Sequence, residues 1–426
     1  MPSQMSATSS TSDAGMRDSV PVVPAEQSPP RSAAAFRVVT AAIALALAAS
    51  GTPSPLYVDY QAQWHFSAAT LTIIYAMYAG GVVVTLLLAG GLSDRVGRRP
   101  VLLGSVVALM ASLVVFLLAD STVWLGVARL LQGLATGVFT GAAAAALTEL
   151  HPRRDSRIAA LVNSMSTSMG IAVGAVLAGA LAQWAPFPLR TPYVVLMVAS
   201  AVVLVVIALR VPETVTRQDK LRLGALLRPQ RISIPPETRK QFVIGCLGVL
   251  AAWSVGGLYL GLGGSLAKEL LHVNNHLVAG LVILTVQGVG GLSQLGFTRV
   301  SGKTASVLGC VALIVGMAVV STSVFVSSAV LFLLGDAVTG VGFGLAFMGG
   351  TRLVTQAAPA AKRGQVLATF FVVAYLAISV PVIAAGVVSV HIGLSSTFYL
   401  FAAIMAVIAL VTLVCTLLSR DADPTT

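Results

Sequence analysis

The stretch GGLSDRVGRRP, residues 90–100, joins two long apolar runs at 69–90 and 100–119. A run of about 20 apolar residues is long enough to cross a bilayer as a helix. Between the runs stand one acid, Asp94, and three arginines, and Gly97 among them permits a tight turn with positive φ. Arginines beside a span are attracted to the anionic cytoplasmic leaflet. This stretch therefore predicts a short basic loop between two membrane helices.

The composition of the whole chain agrees with a membrane protein. Of its 426 residues, 57% are hydrophobic and 10% are charged, whereas about 25% are charged in an ordinary soluble protein. The mean hydropathy is +0.92. So many apolar side chains cannot share one core, and lipid must cover much of the surface. The three cysteines stand in apolar runs, without the spacing of a metal site or a disulfide framework.

Apolar runs like the two that flank this loop recur along the chain, and each predicts a helix because backbone groups in lipid must hydrogen-bond internally. We predict an all-α protein with twelve spans, at 37–57, 69–90, 100–119, 122–147, 158–182, 191–210, 241–262, 276–297, 305–322, 327–350, 365–387 and 396–418. Residues 1–35 are rich in Ser, Pro and Ala and predict a disordered cytoplasmic tail. Residues 420–426 predict a second, short cytoplasmic tail.

The basic residues are distributed unequally between the two sides of these spans. Nearly all of the 26 Lys and Arg residues fall on the side of the termini; Arg190 and Lys268 fall in loops of the other side, and Arg129 falls inside a span. The positive-inside rule therefore predicts cytoplasmic termini in a plasma or inner membrane. It also explains the net charge of +11 without a nucleic-acid partner.

The sequence divides into two similar halves. Residues 36–210 hold six predicted spans, 211–240 form a polar cytoplasmic linker, and 241–419 hold six more spans. Short patterns recur between the halves, such as Gly90-Gly-Leu-Ser and Gly290-Gly-Leu-Ser. Repeated halves with a binding site between them are typical of secondary transporters.

The loop motif resembles the first signature of the major facilitator superfamily, and its defining positions all match. These are Gly90, Asp94, Arg95, Gly97, Arg98 and Arg99. The resemblance covers about residues 36–419 and implies a twelve-helix transporter whose loop latches the two halves at the cytoplasmic side. The alternative is a basic loop that serves topology alone.

A second motif, in the fourth span, resembles that of proton-coupled members of the superfamily: Arg129-x-x-Gln132-Gly133-x-x-x-Gly137. A charge this deep in a membrane is costly and should face a cavity or a partner. The alternative is that Arg129 extends to the outer interface.

Asp336 is the one acid that we place deep within a span. It occupies in the second half the position that Arg129 occupies in the first half. Burial favours the protonated carboxyl and a nearby guanidinium favours the carboxylate. We therefore predict that Asp336 carries a coupling proton and that Arg129 tunes it across the cavity. A structural ion pair or hydrogen bond is the alternative.

A third pattern, in the fifth span, resembles the antiporter motif of drug exporters. It contains Gly170, Gly174 and Gly179, but Ala175 stands where that motif has Pro and Ala178 where it has Gly. The alternative is an ordinary packing face of small residues.

In the superfamily the first, fourth, seventh and tenth spans line the central cavity. By that resemblance the substrate contacts would be Gln132, Trp253, Tyr259 and Gln287. Each of these is also a common packing or interface residue. Four of the five histidines, His65, His272, His276 and His391, fall near the outer face, where a shared metal site is less expected than solvated side chains.

We predict a secondary transporter rather than an enzyme, most simply a proton-coupled exporter of a small apolar or cationic compound. It would need no cofactor and no metal, act as a monomer in the lipid bilayer, and take the small molecule and protons as its partners. No GxxxxGK[ST] loop for ATP occurs. The alternatives are a proton symporter or facilitator that imports a metabolite, and a membrane sensor that has lost transport.

Overall fold

The computed structural model describes residues 32–215, 234–270, 275–359 and 362–419. In these segments twelve helices are long and apolar enough to cross a membrane, which confirms the predicted fold class. We number them α1 (Ala33–Trp64), α2 (Ala68–Leu88), α3 (Arg98–Leu118), α4 (Thr122–Leu150), α5 (Ser156–Trp184), α6 (Thr191–Arg210), α7 (Arg239–Leu270), α8 (His276–Gly296), α9 (Gly302–Phe325), α10 (Ala329–Ala357), α11 (Arg363–Ile392) and α12 (Leu394–Leu418).

The ends of the helices lie within a few residues of most predicted ends. The first helix begins at Ala33 because the Ser32 hydroxyl accepts a hydrogen bond from the Ala35 amide at 3.2 Å and caps it. The predicted tail 1–35 therefore includes the first turn of α1, and its other residues lie outside the described segments. So do 216–233 of the predicted linker and all of the tail 420–426. A single turn of 3₁₀ helix, Pro236–Thr238, precedes α7.

Three helices are interrupted along their length. The regular hydrogen bonding of α1 stops at Thr52, before Pro53, and that of α11 stops at Ile378 and Ser379, before Pro381. Proline has no N–H to donate to the preceding turn, which accounts for both breaks. The third helix, α8, contains a π-helical segment, Leu284–Gly288, that holds Gln287. Such segments are frequent at functional sites.

Small residues let the helices pack closely. A methyl group on Gly133 of α4 would lie 2.0 Å from the Tyr78 carbonyl oxygen of α2. Close backbone approach of this kind is how membrane helices associate without a hydrophobic driving force. The outward faces are apolar instead: Leu209 at the end of α6 and Leu418 at the end of α12 are 75% and 76% exposed. These faces would contact lipid.

Because the number of spans is even, Ser32 and Ser419 lie at the same end of the bundle, which we call the terminus end. The other end, with Trp64 and His276, we call the far end. Three of the four hydrogen-bonded residue pairs that join the halves in the described segments lie at the far end. The pairs are Gln61–Ser265, Asp59–His276, Gln183–His276 and, nearer the terminus end, Ser164–Gln294. The halves are thus held together at the far end.

Candidate functional site

Arg129 is fully buried in the first half, and tyrosines surround it. Its Nε donates a hydrogen bond to the Tyr57 hydroxyl at 2.5 Å. The guanidinium carbon lies 5.4, 5.7 and 5.5 Å from the ring centroids of Tyr57, Tyr75 and Tyr78. A cation over aromatic faces is stabilised by their quadrupoles, more so where water is excluded. The rings thus supply part of the stabilisation that a carboxylate would supply elsewhere.

Two further contacts fix the guanidinium against α1. Nη1 donates to the Ser50 carbonyl at 2.9 Å and to Gln132 Oε1 at 2.8 Å. Gln132 in turn donates from Nε2 to the Ala49 carbonyl at 2.8 Å. The Ala49 carbonyl is available because Pro53, four residues later, has no N–H to donate to it. Arg129 therefore does not extend to the interface; it holds α4 to α1.

Asp336 is likewise fully buried, in α10 of the second half. The Tyr259 hydroxyl of α7 donates a hydrogen bond to its Oδ1. Its Oδ2 has no hydrogen-bond partner among the described residues. A buried carboxyl with one donor is poorly compensated as an anion and better as a neutral acid.

The two sites correspond by the repeat of the halves. Arg129 and Asp336 follow the start of their helices, Thr122 and Ala329, by the same number of residues. Each bonds to a tyrosine of its own half, Tyr57 on α1 or Tyr259 on α7, which are the first helices of the halves. Corresponding positions thus carry opposite charges, each with a phenol as its partner.

A direct contact between Arg129 and Asp336, which the sequence left open, is not seen among the described residues. The described residues show no ion pair between them within 4.0 Å, because each side chain turns to the first helix of its own half. That Asp336 carries a coupling proton and that Arg129 tunes it therefore stays a prediction.

The four residues expected to contact substrate differ in their surroundings. Gln132 and Tyr259 are both 0% exposed and form the hydrogen bonds described above. Gln287, in the π segment, is 2% exposed and its Oε1 has no hydrogen-bond partner among the described residues. Trp253 is half-buried, and its indole N–H also lacks a partner there.

Trp253 belongs to a group of half-buried rings from three helices of the second half. The Phe347 and Tyr375 rings each lie 5.3 Å from that of Trp253, and the Phe371 ring lies 6.2 Å from that of Phe347. We call these four residues the aromatic cluster. Partly accessible aromatic faces in the middle of a bundle can bind an apolar or cationic ligand.

Asp94 and Arg98 of the loop motif form ion pairs within the first half. Gly97 has φ +107°, the positive φ expected of its turn. Asp94 pairs with Arg98 of the same loop at 2.6 Å, and Arg98 pairs with Glu149 of α4 at 2.9 Å. Among the described residues Asp94 shows no ion pair with the second half, and the latch stays a prediction for the state in which the terminus end closes.

Other residues of the loop motif also lie at the terminus end of the first half. The amides of Arg98 and Arg99 donate to the Glu213 carboxylate at 2.8 and 3.2 Å, and Arg95 lies in the short helix Leu92–Val96. Gly90 is exposed in the turn after α2.

The glycines of the fifth span lie at two helix interfaces. A methyl group on Gly170 or Gly174 would lie 2.4 or 2.1 Å from a carbonyl oxygen of α1, and one on Gly179 would lie 2.4 Å from the His276 carbonyl of α8. This pattern is therefore a close packing face, first against its own half and then, at the far end, against the other.

The sequence interpretation missed the three tyrosines around Arg129. Tyr57, Tyr60 and Tyr193 stand near the ends of predicted spans, where an interfacial aromatic belt is typical, but their side chains are 1%, 2% and 0% exposed. The available signal was a cation inside a span of a half whose predicted spans contain no acid, since aromatic rings are the other partner for such a charge.

Comparison with known proteins gives the same fold. A family model described as Major Facilitator Superfamily matches residues 39–381. A point mutant of the nucleoside transporter NupG is 14% identical and has a TM-score of 0.71, covering 89% of this chain and 99% of that one. The human organic anion transporter MFSD10 is 16% identical, with a TM-score of 0.65 over 90% and 99% of the two chains.

Among curated proteins the similarity is local. Multidrug resistance protein MdtL of Shigella flexneri serotype 5b (strain 8401) is 36% identical over 102 residues, which are 24% of this chain and 26% of that protein. MdtL of Escherichia coli O139:H28 is 35% identical over an alignment of the same length. The chain thus matches about a quarter of the length of these relatives.

The fold and the family match together identify the protein family. The bundle has twelve candidate spans, its halves repeat the same helix contacts, and the family model extends from α1 into α11. The chain belongs to the major facilitator superfamily, and it is a membrane transporter and not an enzyme.

Proposed function

We propose that this transporter exports a small apolar or cationic compound in exchange for protons by alternating access, with Asp336 as the proton site. The observation that carries the proposal is a fully buried carboxyl deep in α10 with a single donor, Tyr259. Intramembrane acids are costly, and proton relays are one of their main uses.

Alternating access would give this carboxyl two environments. In the present arrangement burial favours the protonated acid. When the halves part, water reaching α7 and α10 would solvate the carboxylate and favour release of the proton. Movement of the bundle would thereby be linked to proton binding, because each state of the transporter has its own preference for the proton.

The class of substrate follows from the rings. Trp253 and the other members of the aromatic cluster are half-buried, whereas Gln132 and Tyr259 are occupied by internal bonds. The cluster therefore offers stacking and cation–π contacts with few polar groups. The partial likeness to multidrug resistance protein MdtL agrees with such a substrate.

The placement of charge is consistent with export. The positive-inside rule assigns the terminus end, with Arg98 and Arg99, to the cytoplasm of a plasma or inner membrane. The pairs that join the halves lie mostly at the far end, so the aromatic cluster would be reached from the cytoplasmic side. An exporter loads its substrate from that side.

The test is a flux assay in everted membrane vesicles from a host stripped of its own exporters, with a panel of fluorescent cationic and apolar compounds. We expect wild type to accumulate at least one compound when the vesicles are acidified inside. Asp336→Asn should lose this accumulation but keep exchange of the compound in the absence of a gradient. The matched control is Asp120→Asn, an exposed acid at the far end, which should behave as wild type.

Three results would contradict the proposal. Proton-driven depletion from the vesicles, in place of accumulation, would indicate a symporter. Binding of a compound without flux would indicate a sensor. Undiminished accumulation by Asp336→Asn, with unchanged proton movement, would place the coupling site elsewhere.

A further inference from the structure

His276, the first residue of α8, bridges the two halves at the far end. Its Nε2 lies 2.8 Å from Asp59 Oδ1 of α1. Its Nδ1 lies 3.2 Å from Gln183 Oε1 of α5, and its backbone amide also donates to this oxygen at 3.2 Å. One side chain of the second half is therefore held by two helices of the first half.

The contacts of the ring suit the doubly protonated form better than the neutral form. A neutral imidazole has one N–H and one bare nitrogen, and only the imidazolium donates from both nitrogens. Here both nitrogens face oxygens that accept. The Gln183 atom is assigned as an oxygen independently, because the amide nitrogen of that side chain could not accept from the His276 backbone. The arrangement fits doubly protonated His276.

Asp59 has no competing partner. Its Oδ2 is buried without a hydrogen bond among the described residues, and its side chain is 28% exposed, as is that of His276. The carboxylate is therefore available to the imidazolium, and partial exclusion of water strengthens their attraction.

Other titratable groups stand on the helices around His276. Those on α1 and α7 nearest to this end are Tyr57, Tyr60, His65, Lys268 and Glu269. None of them has a hydrogen bond or ion pair with His276 in the described part of the chain. On α5, Gln183 and Trp184 do not titrate in this range, and the π segment of α8 holds no titratable side chain.

We infer that Asp59, Gln183 and His276 form a second proton-binding site, and that its proton holds the far end of the transporter closed. The site exists only while α1 and α5 contact α8. Opening of the far end separates the carboxylate from the imidazolium, so the open state binds this proton less tightly than the closed state. A ligand shifts an equilibrium towards the state that binds it better. Acid at the far end therefore closes it, and closing takes up a proton.

This inference goes beyond the proposed export, since it concerns a residue remote from Asp336 and holds for any substrate. The direction of the effect is definite. Below the ordinary titration range of histidine the closed state is favoured, and as the pH rises through that range the extra stabilisation is lost.

Electron-paramagnetic distance measurements test the inference without substrate. Spin labels are attached at Val123→Cys on α4 and Ser396→Cys on α12, which are exposed and lie at the far end in different halves. The background carries Cys246→Ala, Cys310→Ala and Cys415→Ala. The full chain, in lipid nanodiscs, is measured at about pH 5 and about pH 8, either side of the range in which histidine titrates.

We expect the ratio of short to long distances to rise about two- to fivefold at the acidic pH, the range for a partly exposed ion pair. His276→Gln keeps a polar side chain but cannot take the charge, and it should abolish the pH dependence. Asp59→Asn should do the same from the other side of the contact. His391→Gln is the matched control: this exposed histidine contacts only the Val387 carbonyl of its own helix among the described residues. It should respond as wild type.

Two results would overturn the inference. One is a distance distribution of the wild type that does not change with pH. The other is a pH dependence that persists in His276→Gln and Asp59→Asn, or that is lost equally in His391→Gln. Because the assay measures only the distance between the halves, neither result bears on proton-driven flux through Asp336.

Discussion

The Tyr259 hydroxyl donates to Asp336 and so joins α7 to α10 at the buried carboxyl. The same two positions of the first half are joined by Arg129 and Tyr57, with the guanidinium as the donor. A phenol can both donate and accept, so it serves as the partner for either charge. The two halves thus have a tyrosine hydrogen bond at corresponding positions, to a cationic side chain in the first half and to an acidic side chain in the second.

Tyr259→Phe removes the only hydrogen-bond donor to Asp336 in the described structure. A hydrogen bond to the charged form favours it, so without the phenol the carboxyl holds its proton more tightly. We expect Tyr259→Phe to transport the same substrate but to release the coupling proton only at a higher pH. The pH optimum of proton-driven transport should therefore move upward. The measurement is a pH–rate profile in proteoliposomes.

The control for Tyr259→Phe is Tyr399→Phe, at an exposed phenol of α12 that is 37% accessible. It should leave the profile unchanged. An unchanged profile in Tyr259→Phe itself would mean that the phenol does not influence the coupling proton.

Arg129→Ala should lower stability rather than shift the pH optimum. It leaves Tyr57, Gln132 and the Ser50 carbonyl without their common partner, and a buried polar group without a bond costs about 1–3 kcal/mol. We expect the midpoint of heat-induced loss of monodisperse protein, followed by size-exclusion chromatography, to fall. Arg129→Lys should be intermediate, since an ammonium keeps the charge but not the fork of donors.

The pH–rate profile of Arg129→Ala distinguishes this view from the sequence prediction. If Arg129 acted on Asp336 across the cavity, its removal would move the optimum upward. We expect the optimum to stay where it is, because the guanidinium contacts only its own half among the described residues.

Gly174→Ala should prevent correct assembly of the first half. The added methyl would lie 2.1 Å from the Ala48 carbonyl oxygen, on backbone that cannot move aside cheaply. We expect little folded protein in detergent extracts. Gly141→Ala is the matched control, since nothing lies within 4 Å of its added methyl and alanine favours a helix. Equal yields from the two variants would refute the packing argument.

Asp94→Asn should leave the stability of the protein almost unchanged and impair transport. The Asp94 side chain is 61% exposed, and an exposed ion pair is worth at most about 1 kcal/mol. Its expected role lies in the other state, in which the terminus end closes. Thermal stability and flux measured on the same preparations check both parts, and wild-type flux would mean that the loop serves topology alone.

Reporter fusions check the orientation. The positive-inside rule predicts that fusions after Asp219 and after Thr426 are active only with a reporter that works in the cytoplasm. Phosphatase activity at either fusion, which requires export, would invert the assignment of the terminus end.

The helices could be predicted from sequence because their signal is local. A run of apolar residues between polar loops is sufficient, and the ends of α6 agree with the prediction. The interruption of α1 also had a local signal, Pro53, which was not used. The partners of Arg129 could not be derived in this way, because Tyr57 and Tyr78 reach it from other helices. A tyrosine near the end of a span looks the same in sequence whether it faces lipid headgroups or a buried cation.

If Asp336 is the proton site, its charge and that of Arg129 would make the transporter sensitive to membrane potential. With Asp336 ionised, the two deep charges sum to zero, so the field across the bilayer exerts little net force on the bundle. With Asp336 protonated, the guanidinium is left as an uncompensated positive charge, and about 2.3 kcal/mol per 100 mV acts on any part of it that crosses the field. Voltage would therefore act on the proton-loaded step of the cycle and leave the return step nearly unaffected.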